Sequence, residues 1–229
     1  FVFVVYPYIC LGVFLMGSLT RFDRDQYTWK SDSSQLLRTG TLRWGSNLFH
    51  VGILFLFFGH LFGQLTPHAV YELFITAQQK QLLAVVAGGI AGAICFIGLT
   101  LLLHRRLFDP RIRLTSHRTD LAVLIILWLQ LSLGLITLPS SLHHVSEPKT
   151  MLTLATYLQG IATFRPDASL LVGIEWPFLV HMVLGMTIFL LFPFSRLVHI
   201  WSAPVGYIFR NYQVVRARGN GRRTIGAGD

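Results

Sequence analysis

The chain has 229 residues, of which 53% are hydrophobic and only 13% charged, against roughly 25% charge in a soluble domain. Its 19 Lys and Arg outnumber 10 Asp and Glu, for a net charge of +9. The cations sit in short connectors between uncharged runs, which argues for a membrane protein and against a nucleic-acid partner.

A membrane-crossing helix needs about 20 mostly apolar residues. The first such segment, 1–20, opens on Phe1 and not on Met, so the natural start is expected upstream. It lacks a basic leader and a small-residue cleavage motif, and Arg21, Asp23 and Arg24 follow, so it is read as a retained span. Lys30, Arg38 and Arg43 complete the basic connector to the second segment, 46–66. Only Lys80 precedes the third, 81–103. Arg105, Arg106, Arg111, Arg113 and Arg118 separate it from the fourth, 121–139. The connector 140–173, with Lys149 and Arg165 among Glu147 and Asp167, leads to the fifth, 174–201. Arg196, Arg210, Arg216, Arg218, Arg222 and Arg223 cluster at its end and beyond. Basic connectors stay in the cytoplasm, which puts the N-terminus outside and the C-terminus inside.

The expected fold is therefore all-α: an integral membrane bundle of five transmembrane helices over 1–203, followed by a basic cytoplasmic tail over 204–229. Within 140–173, Met151, Leu154, Tyr157, Leu158, Ile161 and Phe164 recur at helical spacing. This predicts a short amphipathic helix on the outer surface. The tail suits either anionic lipid or a cytoplasmic partner. Cys10 and Cys95 lie inside apolar runs without CxxC spacing and read as small buried hydrophobes.

Ionisable residues inside a span are costly and point to function. Of nine histidines, His68, His104, His117, His143 and His144 fall in connectors or at span ends. The other four lie within spans: His50 and His60 on the second, His181 and His199 on the fifth. The two spans run in opposite directions, so topology pairs His60 with His181 near the outer face and His50 with His199 near the cytoplasm. Each pair offers two imidazoles to opposite faces of a flat macrocycle, the arrangement of a six-coordinate, electron-transferring haem. Gly52, Gly59, Gly63 and Gly185 lie close to the histidines and free space for a porphyrin, although Gly59-x-x-x-Gly63 and Gly88-x-x-x-Gly92 also suit helix packing. One mismatch stands out. The second-span pair is separated by about 15 Å of helix rise and the fifth-span pair by about 27 Å, and Pro193 between the latter is placed to kink the helix. Arg105, Arg106 and Arg196 are candidates to bind haem propionates, or to reach lipid headgroups.

Several strings then make the chain familiar: Tyr6-Pro7-Tyr8, Gln26-Tyr27-Thr28-Trp29, Ser46-Asn47-Leu48-Phe49-His50, Leu65-Thr66-Pro67-His68, Arg105-Arg106-Leu107-Phe108, and Phe189 through Arg196. With them the chain resembles the gamma, or cytochrome b, subunit of bacterial respiratory nitrate reductase. The resemblance implies a five-helix subunit of the bacterial inner membrane with two b-type haems. It implies a cytoplasmic iron–sulfur beta subunit and a molybdenum-containing alpha subunit as partners. The family's outer haem ligands match His60 and His181, and its inner ligands match His50 and His199. Its quinol pocket matches Lys80, Gly59 and His60. On its residues alone Lys80 reads as an interfacial lysine.

The expected activity is oxidation of quinol (menaquinol or ubiquinol) near the outer face, with electrons passed inward to partner subunits that reduce nitrate. No molybdenum or iron–sulfur ligand set is present in this chain. Two other readings stand beside it: the diheme anchor of a formate- or sulfur-linked oxidoreductase, and a haem-free membrane protein whose histidines relay protons.

Overall fold

In hydrocarbon, a single chain segment satisfies its own N–H and C=O groups only as a helix. The computed structural model describes residues 1–25, 39–114, 116–202 and 209, and among these only helices, turns and connectors occur. The α-helices are α1 (Tyr6–Arg24), α2 (Thr39–Leu65), α3 (His68–Tyr71), α4 (Ala77–Phe108), α5 (Pro110–Leu114), α6 (Arg118–His143), α7 (Lys149–Ala162) and α8 (Trp176–Leu191). Short 3₁₀ segments cover Ala168–Leu171, Phe192–Phe194 and Arg196–Ser202.

Four of the described helices are long and apolar enough to cross a membrane: Gly40–Leu65, Ala77–Phe108, Arg118–His143 and Trp176–Phe194. They coincide with four of the five expected spans. The helix at the first expected span, α1, has 19 residues and carries Arg21, Asp23 and Arg24 in its last turn. It nevertheless runs against α8, where the hydroxyls of Tyr6 and Thr187 lie 2.8 Å apart. The expected tail, apart from Phe209, and residues 26–38 of the first connector lie outside the described residues.

The helices pack in a row: α2 on α4, α4 on α6, α6 on α8, and α8 on α1. The two histidine-bearing helices, α2 and α8, are not close-packed on each other. At one end α7 bridges them. It rests on α2, and its buried Leu154, Tyr157 and Ile161 cluster with Phe178, Leu179 and Met182 of α8. Gln159 Nε2 donates to Gln64 O at 2.9 Å and to Thr66 O at 3.3 Å, satisfying carbonyls at the end of α2. Tyr157 Oη donates to Phe3 O at 2.9 Å, and burial pushes its phenol up to about 12, which keeps it protonated as a donor. The expected amphipathic helix is thus present, but Phe164 leaves its stripe. The helix ends at Ala162, and Phe164 takes a positive φ of 60° and is exposed, its ring stacked on Tyr8.

Small residues bring α2 and α4 together. A β-carbon on Gly52 would stand 2.7 Å from Cys95 N and 2.8 Å from Ala91 O, and one on Gly98 would collide with the backbone of Phe49. Gly52 therefore serves this helix contact and not the clearance expected beside the histidines. Of the Gly88-x-x-x-Gly92 pattern, Gly92 fits the expected packing role, against Leu135 at 2.8 Å, whereas a β-carbon on Gly88 would meet nothing within 4 Å, so Gly88 does not serve a helix contact. Around Gly59 and Gly63 there is open space out to 4 Å, so neither is at a helix contact.

The expected fifth span is not one continuous helix. Pro193 has no N–H to offer. The α-helix stops at Leu191, a 3₁₀ turn follows, and Ser195 is extended at φ −125° and ψ 176°. Helix α1 covers the break. Arg21 Nη1 donates to Pro193 O at 2.7 Å and Ser195 O at 2.9 Å. A β-carbon on Gly17 would stand 2.7 Å from Pro193 Cγ, so the glycine lets the proline ring lie against α1.

Candidate functional site

The gap between α2 and the α8 region holds two facing pairs of histidines. The ring centroids of His60 and His181 are 6.2 Å apart with 36° between planes. Those of His50 and His199 are 6.4 Å apart with 73° between planes. These are the juxtapositions expected from topology. The spacing mismatch disappears at Pro193: a straight helix would carry His199 about 27 Å beyond His181, whereas the broken chain brings it back to His50.

Every one of these rings is oriented by a carbonyl. His50 Nδ1 donates to Ser46 O at 2.7 Å, His60 Nδ1 to Leu56 O at 2.7 Å, and His199 Nδ1 to Arg196 O at 2.6 Å. His181 Nδ1 donates to Gln130 O of α6 at 3.0 Å. A carbonyl only accepts, so each Nδ1 carries the proton and each Nε2 is left with its lone pair, the tautomer of a metal-ligating histidine. At His181 the Gln130 Nε2 amide lies 3.3 Å from Nε2 and donates to the lone pair that a bound iron would take.

The geometry suits a haem. Two metal–nitrogen bonds of about 2 Å and two ring radii of about 1.1 Å set the centroids of coaxial imidazoles roughly 6.3 Å apart. Both pairs match that spacing. Helices α2 and α8 are not close-packed on each other, and a β-carbon on Gly59 or Gly63 would meet nothing within 4 Å, which is compatible with a flat group between the pairs.

Lys80, four residues into α4, is buried with its Nζ 3.6 Å from the centroid of the Tyr71 ring, a cation–π contact. Its ammonium has no hydrogen-bond partner. It lies at the same end of the bundle as His60 and Gly59, because α2 ends where α3 and α4 begin. The structure turns it onto Tyr71 and does not hydrogen-bond it to His60.

At the opposite end, Arg106 Nη1 and Arg196 Nε lie 3.0 Å and 3.1 Å from the two carboxylate oxygens of Asp120, which is buried at the start of α6. Arg105 is buried beside them in sequence, near the end of α4. Three proposed propionate partners thus sit at one end, two of them held by a carboxylate that the sequence reading did not single out. It also missed Gln130 and Gly134. A glutamine in the middle of an apolar span was the available signal for the first; nothing in the sequence marked which glycine faces a ring.

The chain matches the family model described as nitrate reductase gamma subunit over residues 1–218. It is 51% identical over 219 residues to the respiratory nitrate reductase 1 gamma chain of Escherichia coli (strain K12), covering 95% of this chain and 97% of that one. It is 40% identical over 216 residues to the nitrate reductase gamma chain of Bacillus subtilis (strain 168), with 93% and 96% covered. A further similarity, 31% identical over 216 residues, is to the nitrate reductase-like protein NarX of Mycobacterium tuberculosis (strain CDC 1551 / Oshkosh), of which it covers 33%. The match runs through every described helix and all four paired histidines, and the chain belongs to the nitrate reductase gamma subunit family.

Proposed function

We propose that this chain is the membrane cytochrome b of a quinol:nitrate oxidoreductase of the bacterial inner membrane. Five spans, with α1 as the first and the N-terminus outside, form the bundle. It takes electrons from menaquinol or ubiquinol near the outer face and delivers them to cytoplasmic partners, an iron–sulfur beta subunit and a molybdenum-containing alpha subunit, where nitrate is reduced. The observation that carries this reading is the pair of facing histidine couples, each at coaxial spacing and each with Nδ1 tied to a carbonyl. The two histidine pairs would hold b-type haem, which would supply one-electron transfer there.

The chain's own residues do the rest. His60 and His181 are the ligands of the outer site, and His50 and His199 those of the inner. The Nδ1 of His60 donates to Leu56 O and its Nε2 would bind the iron, which leaves Lys80, at the same end of the bundle, to hold a quinol oxygen. Its buried ammonium, without a hydrogen-bond partner, suits that task, and a β-carbon on Gly59 would meet nothing within 4 Å. Arg105, Arg106 and Arg196 give the inner end the positive charge that propionates need, with Asp120 fixing two of them. Carrying negative charge inward works against the membrane potential by roughly 2.3 kcal/mol per 100 mV, so turnover builds that potential.

The test is a reduced-minus-oxidised optical spectrum of the purified chain, compared with His60→Ala and His199→Ala. Two b-type components are expected in the wild type, with each substitution removing a different one. A wild type without haem absorption, despite adequate haem supply, sinks the cytochrome reading in favour of a haem-free proton relay.

A further inference from the structure

Three of the four paired histidines are oriented from within their own segment, by a carbonyl three or four residues earlier: Ser46 for His50, Leu56 for His60 and Arg196 for His199. His181 differs. Its Nδ1 reaches across to α6 and donates to Gln130 O at 3.0 Å. A carbonyl inside a helix has a second lone pair for such a bond, but side chains normally keep a neighbouring ring at a distance.

Gly134, one turn after Gln130, removes that obstacle. A β-carbon there would stand 3.0 Å from His181 Cε1, 3.5 Å from Nδ1 and 3.7 Å from Nε2, so it would press on the ring edge between the two nitrogens. The Gln130 side chain closes the same pocket, its Nε2 being 3.3 Å from His181 Nε2. Gly185, one turn after His181, leaves room for that amide: a β-carbon there would lie 3.1 Å from Gln130 Nε2. We propose that Gln130 and Gly134 of α6 are positioning residues for His181, the carbonyl fixing the ring plane and the glycine admitting it, so that a helix carrying none of the paired histidines sets the geometry of the outer site. This rests on the haem reading of the histidine pairs.

The consequence is a specific dependence. The angle between two axial imidazole planes governs the ligand field of a low-spin ferric haem, so tilting His181 alters the outer haem's signature and leaves the inner one unchanged. The test is electron paramagnetic resonance of the oxidised complex with all subunits present, comparing wild type, Gly134→Ala and the control Gly88→Ala, whose new methyl meets open space. Alanine favours a helix over glycine, so the substitution acts through the ring contact. A shift or loss confined to the outer low-spin feature in Gly134→Ala, with Gly88→Ala like the wild type, is expected. An outer feature unchanged in Gly134→Ala overturns the assignment, as does equal disturbance of both features, because the new methyl meets His181 alone of the four histidines. A wild type with no haem feature at all fails differently: it removes the cytochrome reading and this inference with it.

Discussion

The two ends of the histidine slot are built by different means. At the His60–His181 end both histidine-bearing helices are continuous, and the site is framed from outside them, by α6 through Gln130 and by α7 lying across α2 and α8. At the His50–His199 end the second helix is broken. His199 sits in the 3₁₀ segment Arg196–Ser202, and the break is held by charged hydrogen bonds from Arg21 and by the Arg106–Asp120–Arg196 cluster. A regular helix needs neighbours only for packing, whereas an interrupted one needs partners for the backbone groups it frees. The difference teaches that the irregular end depends on a few partly buried, charged contacts and the regular end on many weak ones.

That contrast can be broken most severely at Asp120. Asp120→Asn takes the buried carboxylate from two partly buried arginines, a change that costs up to about 3–5 kcal/mol, the figure for a fully buried pair. Thermal melting in detergent is expected to fall accordingly, with the His50–His199 haem component lost before the other; equal loss of both components would erase the distinction between the ends. Next is Arg21→Leu. It removes two charge-assisted bonds to the carbonyls at Pro193 and Ser195 and is expected to destabilise by roughly 3 kcal/mol, again with the inner optical component affected first.

Smaller effects sharpen the other side of the comparison. Gln159→Leu loosens α7 from the end of α2 at a cost of about 1–2 kcal/mol, and quinol oxidation is expected to weaken while both haem components persist. Tyr157→Phe deletes the bond to Phe3 O, for about 1 kcal/mol. A small drop in melting temperature with an unaltered spectrum is the expected result; a spectral change at the inner site would show that the ends communicate.

Much of this arrangement was legible beforehand. The four spans over α2, α4, α6 and α8 follow from uncharged length, and the histidine pairing follows from two antiparallel spans each carrying two histidines. The break at Pro193 was visible as a candidate kink, but Arg21 as its partner was not, since the two are brought together only by the packing of α1 on α8. Gly52 illustrates the limit. Next to a histidine in sequence, it looked like clearance for a macrocycle, yet its side of α2 faces α4. Gly134, far from His181 in sequence, is the glycine that admits the ring.

By itself the sequence determined four long apolar helical segments, which histidines fall in pairs, and the family to which the chain belongs. These depend on composition, order and spacing along single segments. The tertiary structure alone decided which faces meet: α6 against His181, Asp120 between Arg106 and Arg196, Lys80 over Tyr71. Those contacts depend on how each helix is rotated and tilted against its neighbours. Packing of small residues across helix interfaces sets that rotation, and hydropathy along the chain does not encode it.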